Sequence, residues 1–566
     1  MTKVAVFDLT GCQGCEFHLL SLNEQLLDIF QNFEITNWRL LSQDSKNDFD
    51  IAIIEGAVTT KEHIKLLKEI RETSKVVIAI GACAISGNFF AELTPDQRKK
   101  LAPKIYDEKY RLKAEFLEPV EKYIKVDEKI PGCPPNLEIF KKTLIKYQGK
   151  EVTSKIKDVV PPDYVAKIEG HGQLKINFKQ KKVEFEVEES ERLIEGLLLG
   201  KNFSQAPVIN SRICGICPVA HNLCSWKAIE DALGVEPAPE AIILRELMSS
   251  AQLIKSHLVH LFFLVLPDFA NLKSALDLSQ RYPAEFHLML NIKRVSERVL
   301  EVVAGSTAFP VNTTLGGFVK PPKLDGLLSL RELADDVIDE AQDLVNLFAS
   351  FTVPPIDSSV EFLSIKPPHN EYPLYKSVEI PQVKESLKDG STAKLGLVNN
   401  QVVKVGALSR ISRYQDCLRP LAKEIFESHP FELRNPYHNN LAQAVEVLHF
   451  LDKIRFLVGE LINKDLSKTK GRSLESWLKD KKSQDSFYGE ACLEAPRGVL
   501  IHQVKLNKTG KIIDYNIIPP TQINLASLEV EARQLVKERN GSDEELERET
   551  EMLIRAFDPC ITCAVH

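Results

Sequence analysis

The sequence has no long hydrophobic run, no surplus of positive charge, no low-complexity tract and no internal repeat, and each absence removes a class of protein. Its longest apolar stretch, Leu258–Pro267, is interrupted by His260 and falls far short of the roughly 20 residues that cross a bilayer. No transmembrane segment is expected. Lys and Arg number 72 against 79 Asp and Glu, a net charge of −7. The two signs are interspersed, so no basic stripe marks a nucleic-acid surface. No charged leader, small-residue cleavage site or twin-arginine pair precedes the strand-like Val4-Ala5-Val6-Phe7, which points to a cytoplasmic location. What is present is ordinary globular composition, 44% hydrophobic and 27% charged over 566 residues, enough for more than one core. Eleven cysteines make an odd number for a disulfide framework and direct attention to metal or redox chemistry.

Residues 1–147 alternate β-rich runs at Lys3–Asp8, Ile35–Leu41, Asp50–Glu55, Lys75–Ile80 and Tyr123–Val126 with amphipathic stretches such as Glu16–Phe30 and Lys61–Thr73. This pattern predicts an α/β domain, a flavodoxin-like, parallel, doubly wound sheet in which ligands sit beyond the carboxyl ends of the strands. Cys12, Cys15, Cys83 and Cys133 all fall on that edge. Periodicity fades over 148–163, where Pro161-Pro162 resists both helix and central strand and marks a linker. Residues 164–566 read as a mainly helical α+β domain. Long 3.6-residue periods occur at about 238–266, 278–304, 326–351 and 437–463, with peripheral hairpins at Gln173–Phe178 with Val183–Val187 and at Val499–Leu506 with Lys511–Ile518.

The run Arg212-Ile213-Cys214-Gly215-Ile216-Cys217-Pro218-Val219-Ala220-His221 sets two thiols three residues apart, with a proline suited to a helix's first position. A helix N-terminus lowers thiol pKa and favours thiolate ligands. His221 follows Cys217 by four residues and shares its helix face. The last nine residues, Asp558-Pro559-Cys560-Ile561-Thr562-Cys563-Ala564-Val565-His566, repeat the arrangement with Asp558 as an expected N-cap. Two such pairs suggest one four-thiolate site. Cys217 and Cys560 lie 343 residues apart, which excludes a local zinc ribbon but leaves zinc, nickel and iron all open at a long-range site.

Together these motifs resemble the nickel-iron (NiFe) hydrogenases, with the small and large subunits, normally separate polypeptides, joined in one chain. The small-subunit resemblance spans about 1–147 through Thr10-Gly11-Cys12-Gln13-Gly14-Cys15-Glu16, Gly81-Ala82-Cys83-Ala84 and Pro131-Gly132-Cys133-Pro134-Pro135. The large-subunit resemblance spans about 164–566 through Ile168-Glu169-Gly170-His171-Gly172, Arg212–His221, Glu494-Ala495-Pro496-Arg497-Gly498 and Asp558–His566.

The resemblance implies an enzyme that interconverts dihydrogen with protons and electrons. It makes Cys214 and Cys560 terminal ligands of nickel, and Cys217 and Cys563 bridges to an iron that carries carbon monoxide and cyanide. Cys560 would be the base in heterolytic cleavage, and Glu169 would relay the proton towards solvent. Arg497 would stand over the open metal face, held by Asp268 and Asp558. Pro520 and Thr521 would hydrogen-bond a cyanide, and His221 would donate to a bridging thiolate. Glu195 and His566 would bind a separate magnesium-like ion. Cys12, Cys15, Cys83 and Cys133 would hold one 4Fe-4S cluster. The remaining Cys224, Cys417 and Cys492 read as buried structural thiols, so electrons would pass from that one cluster to a partner: a flavoprotein, a ferredoxin or another iron-sulfur subunit.

Two features depart from the family pattern. Where many large subunits carry Arg and His in Gly-Arg-x-x-His-Pro, this chain has Ser306 and Phe309. It also ends at His566, whereas most family precursors carry an extension clipped after that histidine. The competing readings are a hydrogen sensor on the same scaffold, a quinone-binding module like that of respiratory complex I, and a zinc-stabilised scaffold. The complex I lineage lacks the four nickel thiolates, so Cys214, Cys217, Cys560 and Cys563 count against it.

Overall fold

A computed structural model describes residues 1–43, 46, 48–149, 164–471 and 485–566. Apart from Gln148 and Gly149, the expected linker lies outside the described residues. In the N-terminal part, β1 (Thr2–Asp8), β2 (Phe33–Trp38), β3 (Ile51–Glu55), β4 (Val76–Ile80) and β5 (Glu128–Ile130) pair in parallel in the order β2-β1-β3-β4-β5. This is the flavodoxin-like order the alternating pattern predicts. Helices cover both faces, which is why Ile51, Ala52, Ile53 and Ile54 form one uninterrupted buried run.

Two local expectations are corrected. The last strand forms at Glu128–Ile130, after the apolar Tyr123–Val126. The deciding interaction is tertiary: Asp127 accepts from the backbone N–H of Val77 at 3.0 Å and returns its own N–H to the Val77 carbonyl at 2.9 Å. This sets the register Ile78↔Glu128 and Ile80↔Ile130. The expected Glu16–Phe30 helix is split into Gly14–Leu19 and Glu24–Phe30, because Asn23 takes a left-handed φ of 54°, a conformation asparagine tolerates.

The C-terminal part is organised around the helices Pro239–Val259 and Asn439–Leu461, which pack together with almost every residue buried. The first continues through a π-helical turn, His260–Val265, to Phe269. By length and composition Pro239–Phe269 could cross a membrane, but 94% of its most apolar window is buried within the protein, the position of a core helix. The expected 278–304 helix breaks at Tyr282, where Pro283 starts Pro283–Val299. The expected 326–351 helix breaks at Val337.

Both hairpins form, as Gly172–Asn177 with Lys182–Val187 and as Gly498–Asn507 with Ile512–Ile518. Sequence reasoning missed a third strand, Ser486–Ala495, which pairs along the whole of Gly498–Asn507. Its sheet lies on the helix Pro218–Leu233 so closely that a Cβ at Gly489 would stand 2.2 Å from the Ala232 nitrogen and 2.3 Å from the Ala228 carbonyl oxygen. Both obstacles are backbone and cannot rotate away. Gly489→Ala is therefore expected to lower stability by about 1–3 kcal/mol, seen as a reduced thermal unfolding midpoint.

Candidate metal centre

Cys217 occupies the N-cap of the helix Pro218–Leu233 with Pro218 at its first position, as the spacing predicts. At the other end of the chain the expectation is corrected. The final turn Ile561–Ala564 is capped by Cys560, while Asp558 adopts a left-handed φ of 52° and turns its carboxylate to Arg497. The fold brings the two pairs together. Cys214 Sγ lies 2.9 Å from Cys560 Sγ and Cys217 Sγ lies 4.0 Å from Cys563 Sγ, and all four are buried.

Burial pushes the Cys560 thiol up to about 12 and Cys214 and Cys563 well above the ordinary thiol value, and contact with Cys214 does the same to Cys217. Desolvation thus outweighs the helix N-terminus, and a bound cation is what would turn these groups into thiolates. Four soft donors with no hard oxygen ligand among them fit nickel and iron. His221 Nε2 stands 3.0 Å from Cys563 Sγ.

Glu169 reaches this cluster through backbone pairing. Its carbonyl accepts from Ile561 N–H at 3.1 Å, and its carboxylate accepts from the N–H of Thr562 at 3.1 Å and from the Thr562 hydroxyl. Burial raises the carboxyl above its ordinary value, against hydrogen bonds from Thr562 and Cys560 that lower it. Arg497 donates through Nε to the Asp558 carbonyl at 2.7 Å and through an η-nitrogen to Asp558 Oδ1 at 2.5 Å. Burial opposes its charge, but Asp558 and the nearby cysteines hold it firmly cationic.

Asp268 does not hold Arg497. It bridges Lys167 and Arg555, the latter at 2.9 Å, because its helix end faces the segment that precedes Glu169. The second contact of Arg497 is instead the Ser256 hydroxyl, at 3.3 Å. Thr521 accepts the backbone N–H of Cys560 at 3.1 Å from the start of the helix that Pro520 opens. His566 Nε2 lies 2.7 Å from Glu195 Oε1, and Glu195 Oε2 is buried with no protein partner.

In the sheet domain, Cys12 and Cys15 follow β1, Cys83 lies in the short helix after β4, and Cys133 follows β5. Asn88 Nδ2 spans two of them, 3.8 Å from Cys83 Sγ and 3.7 Å from Cys133 Sγ. The two cysteine clusters meet through backbone. Gly215 N–H donates to the Cys12 carbonyl at 2.7 Å, and a Cβ on Gly215 would lie 2.3 Å from Gly14 Cα. Phe309 packs beside this contact, with Arg212 4.6 Å over its ring. Cys224 and Cys492 are buried as expected, but Cys417 is only half-buried.

His171 is a residue whose contacts sequence reasoning could not reach. From the large domain it bridges Asp8 at 3.0 Å and Glu189 at 2.9 Å, and Asp8 also pairs with Arg39 at 2.5 Å. Gln13 completes the junction, donating to Asp8 and accepting from Gly170 N–H, each at 2.7 Å. No spacing rule connects these positions, since their proximity comes from the docking of two domains.

The sequence profile described as "Nickel-dependent hydrogenase" matches residues 192–320 and 397–566. The profile described as "NADH ubiquinone oxidoreductase, 20 Kd subunit" matches residues 12–147. The alpha subunit of sulfhydrogenase 1 from Pyrococcus furiosus is 31% identical over 424 residues, covering 71% of this chain and 97% of that protein. The beta subunit of the NAD-reducing hydrogenase HoxS from Cupriavidus necator is 26% identical over 469 residues, covering 71% and 94%. Among solved structures, an NAD+-reducing NiFe hydrogenase in the H2-reduced state aligns with a TM-score of 0.62 at 21% identity, over 71% of this chain and 98% of that one. The reduced Ni-Fe-Se hydrogenase from D. vulgaris Hildenborough aligns with a TM-score of 0.59 at 22% identity, over the same shares. At these identities the structural likeness shows the fold.

The His171 bridge has a definite pH signature. Burial works against its charge, but Glu189 and Asp8 outweigh it and raise the imidazole from 6.5 to about 10. A raised folded-state pKa stabilises fully below the unfolded value and is lost as pH climbs through the folded one. The denaturation midpoint should therefore fall between about pH 6.5 and pH 10. His171→Gln should flatten that slope in chemical denaturation measured across the same range.

Proposed function

Because the chain belongs to the nickel-dependent hydrogenase family, oxidoreductases that interconvert dihydrogen with protons and electrons at a nickel-iron centre, we propose that Cys214, Cys217, Cys560 and Cys563 hold that centre. Cys12, Cys15, Cys83 and Cys133 would hold one 4Fe-4S cluster, which would supply the exit for electrons. The observation that carries this reading is the convergence of two cysteine pairs, 346 residues apart in sequence, into one buried set beside Glu169 and Arg497. When bound, the metal pair, with carbon monoxide and cyanide on iron, supplies the soft Lewis-acidic site at which dihydrogen is polarised.

The protein's own groups divide the remaining work. Arg497, cationic and locked to Asp558, presents a fixed positive charge to the thiols and stabilises negative charge that develops there. Cys560 Sγ takes the proton of the heterolytic step. Glu169, tied to the same segment through Ile561 and Thr562, receives it next, and a carboxyl raised by burial is suited to hold it transiently. Thr521 fixes the Cys560 backbone, and it and Pro520 would hydrogen-bond a cyanide when the metal pair is bound. The Glu195 oxygen that lacks a protein partner, beside His566, suits a magnesium-like ion that pins the C-terminus.

For electrons, the Gly215 to Cys12 hydrogen bond is a direct backbone link between the two cysteine sets. With eight cysteines assigned, only Cys224, Cys417 and Cys492 remain, one short of the four thiolates that a second cluster would take. Electrons therefore cross directly to a partner carrying a flavin or an iron-sulfur centre. The relatives above are named as subunits, which supports such a partner. Eleven free thiols support a reducing, cytoplasmic setting.

An infrared spectrum of protein purified without oxygen from its native host tests the centre. Metal-bound carbon monoxide and cyanide bands are expected, and their absence in material that retains the iron-sulfur cluster would refute the assignment. Glu169→Gln should keep those bands while dye-coupled dihydrogen oxidation falls on the order of 100-fold or more, the scale of a lost proton-transfer group.

A further inference from the structure

A row of buried polar groups runs away from Cys563 into the large domain, between the helix Pro218–Leu233 and the sheet strands Gly498–Asn507 and Ile512–Ile518. Cys563 Sγ faces His221 Nε2 at 3.0 Å, and His221 Nδ1 faces His502 Nε2 at 3.1 Å. His502 Nδ1 faces the Tyr515 hydroxyl at 2.9 Å. That hydroxyl is met by the Ser225 hydroxyl and by Asn210 Nδ2, each at 2.9 Å. All these residues are buried, and among the described residues no carboxylate hydrogen-bonds either imidazole.

One end determines the direction of every bond. A metal-bound thiolate only accepts, so His221 donates through Nε2. A neutral imidazole has one donor and one acceptor, so His221 Nδ1 accepts from His502 Nε2–H. His502 Nδ1 then accepts from the Tyr515 O–H, and the Tyr515 oxygen accepts from Ser225 and Asn210. Hydrogen bonds aligned head to tail polarise one another, by roughly 10–30% per bond.

We propose that His502 and Tyr515 are positioning residues which, acting through His221, set how much electron density the bridging thiolate of Cys563 passes to iron. This rests on the assignment of Cys563 as a bridging ligand made above. Their contribution is electronic and directional, distinct from filling space.

The test is infrared spectroscopy of the purified full chain, wild type first. Tyr515→Phe preserves the ring and removes the donor to His502. The thiolate then receives a weaker hydrogen bond, iron becomes more electron-rich, and the carbon monoxide and cyanide bands should move to lower frequency with nickel and iron contents unchanged. Ser225→Ala, which leaves Tyr515 in place, should give a smaller shift in the same direction and decides the matter if the Tyr515 variant does not fold. Bands at wild-type positions in the variants that fold would overturn the proposal. Absence of bands in the wild type is a separate failure, of the metal assignment itself, and the stated direction of the row falls with it.

Discussion

The centre of this structure depends on one constraint: four cysteine thiols from opposite ends of the large domain are held together where water is excluded. Buried thiols resist ionisation, and these four are pushed far above the range in which they would be thiolates. Only a bound cation reverses that balance. Burial alone leaves these groups as neutral thiols, so the assignment to a metal rests on their convergence, and a bound cation would make them thiolates. Cys217 of one pair caps the helix Pro218–Leu233, which packs against Pro239–Val259, and the short C-terminal turn that carries the other pair packs against the helix Pro520–Glu538.

The same dry environment makes buried ion pairs the means of orientation. Arg497 is held by the backbone and carboxylate of Asp558. The loop that presents it is gripped from behind by Arg410, which donates to the Ala495 and Pro496 carbonyls while paired with Glu446 and Glu494. Asp268, paired with Lys167 and Arg555, ties the segment that carries Glu169 to the helix that leads into Cys560. Such networks are weak evidence of stability, because each buried charge opposes the attraction that pairs it. Here they serve position.

Joining the two halves in one chain keeps their effective concentration high, but contact quality decides how the clusters meet. Gly14 and Gly215 approach so closely that a Cβ at Gly215 would stand 2.3 Å from Gly14 Cα, while one at Gly14 would crowd Cys12 Sγ at 3.0 Å. At the periphery of the same junction His171, Asp8, Glu189 and Arg39 supply a charged clasp. Phe309, where family members often carry a histidine, contributes apolar packing beside Gly14.

Much of this was legible in the chain before any coordinates. Apolar alternation set the parallel sheet, because strands buried on both faces must be apolar throughout. Paired Cys-x-x-Cys motifs pointed to metal or redox chemistry, because soft thiols at that spacing suit a metal or a redox couple. Strand β5 and the missed strand Ser486–Ala495 were not legible, since each depends on a partner distant in sequence. The partners of Asp268 and the row from Cys563 to Tyr515 were equally hidden. Sequence by itself determined which groups the protein owns and the periodicities that bury them. Tertiary structure alone decided which carboxylate meets which cation and which imidazole faces the thiolate, because those pairings are set by how buried surfaces dock and no local rule carries that information.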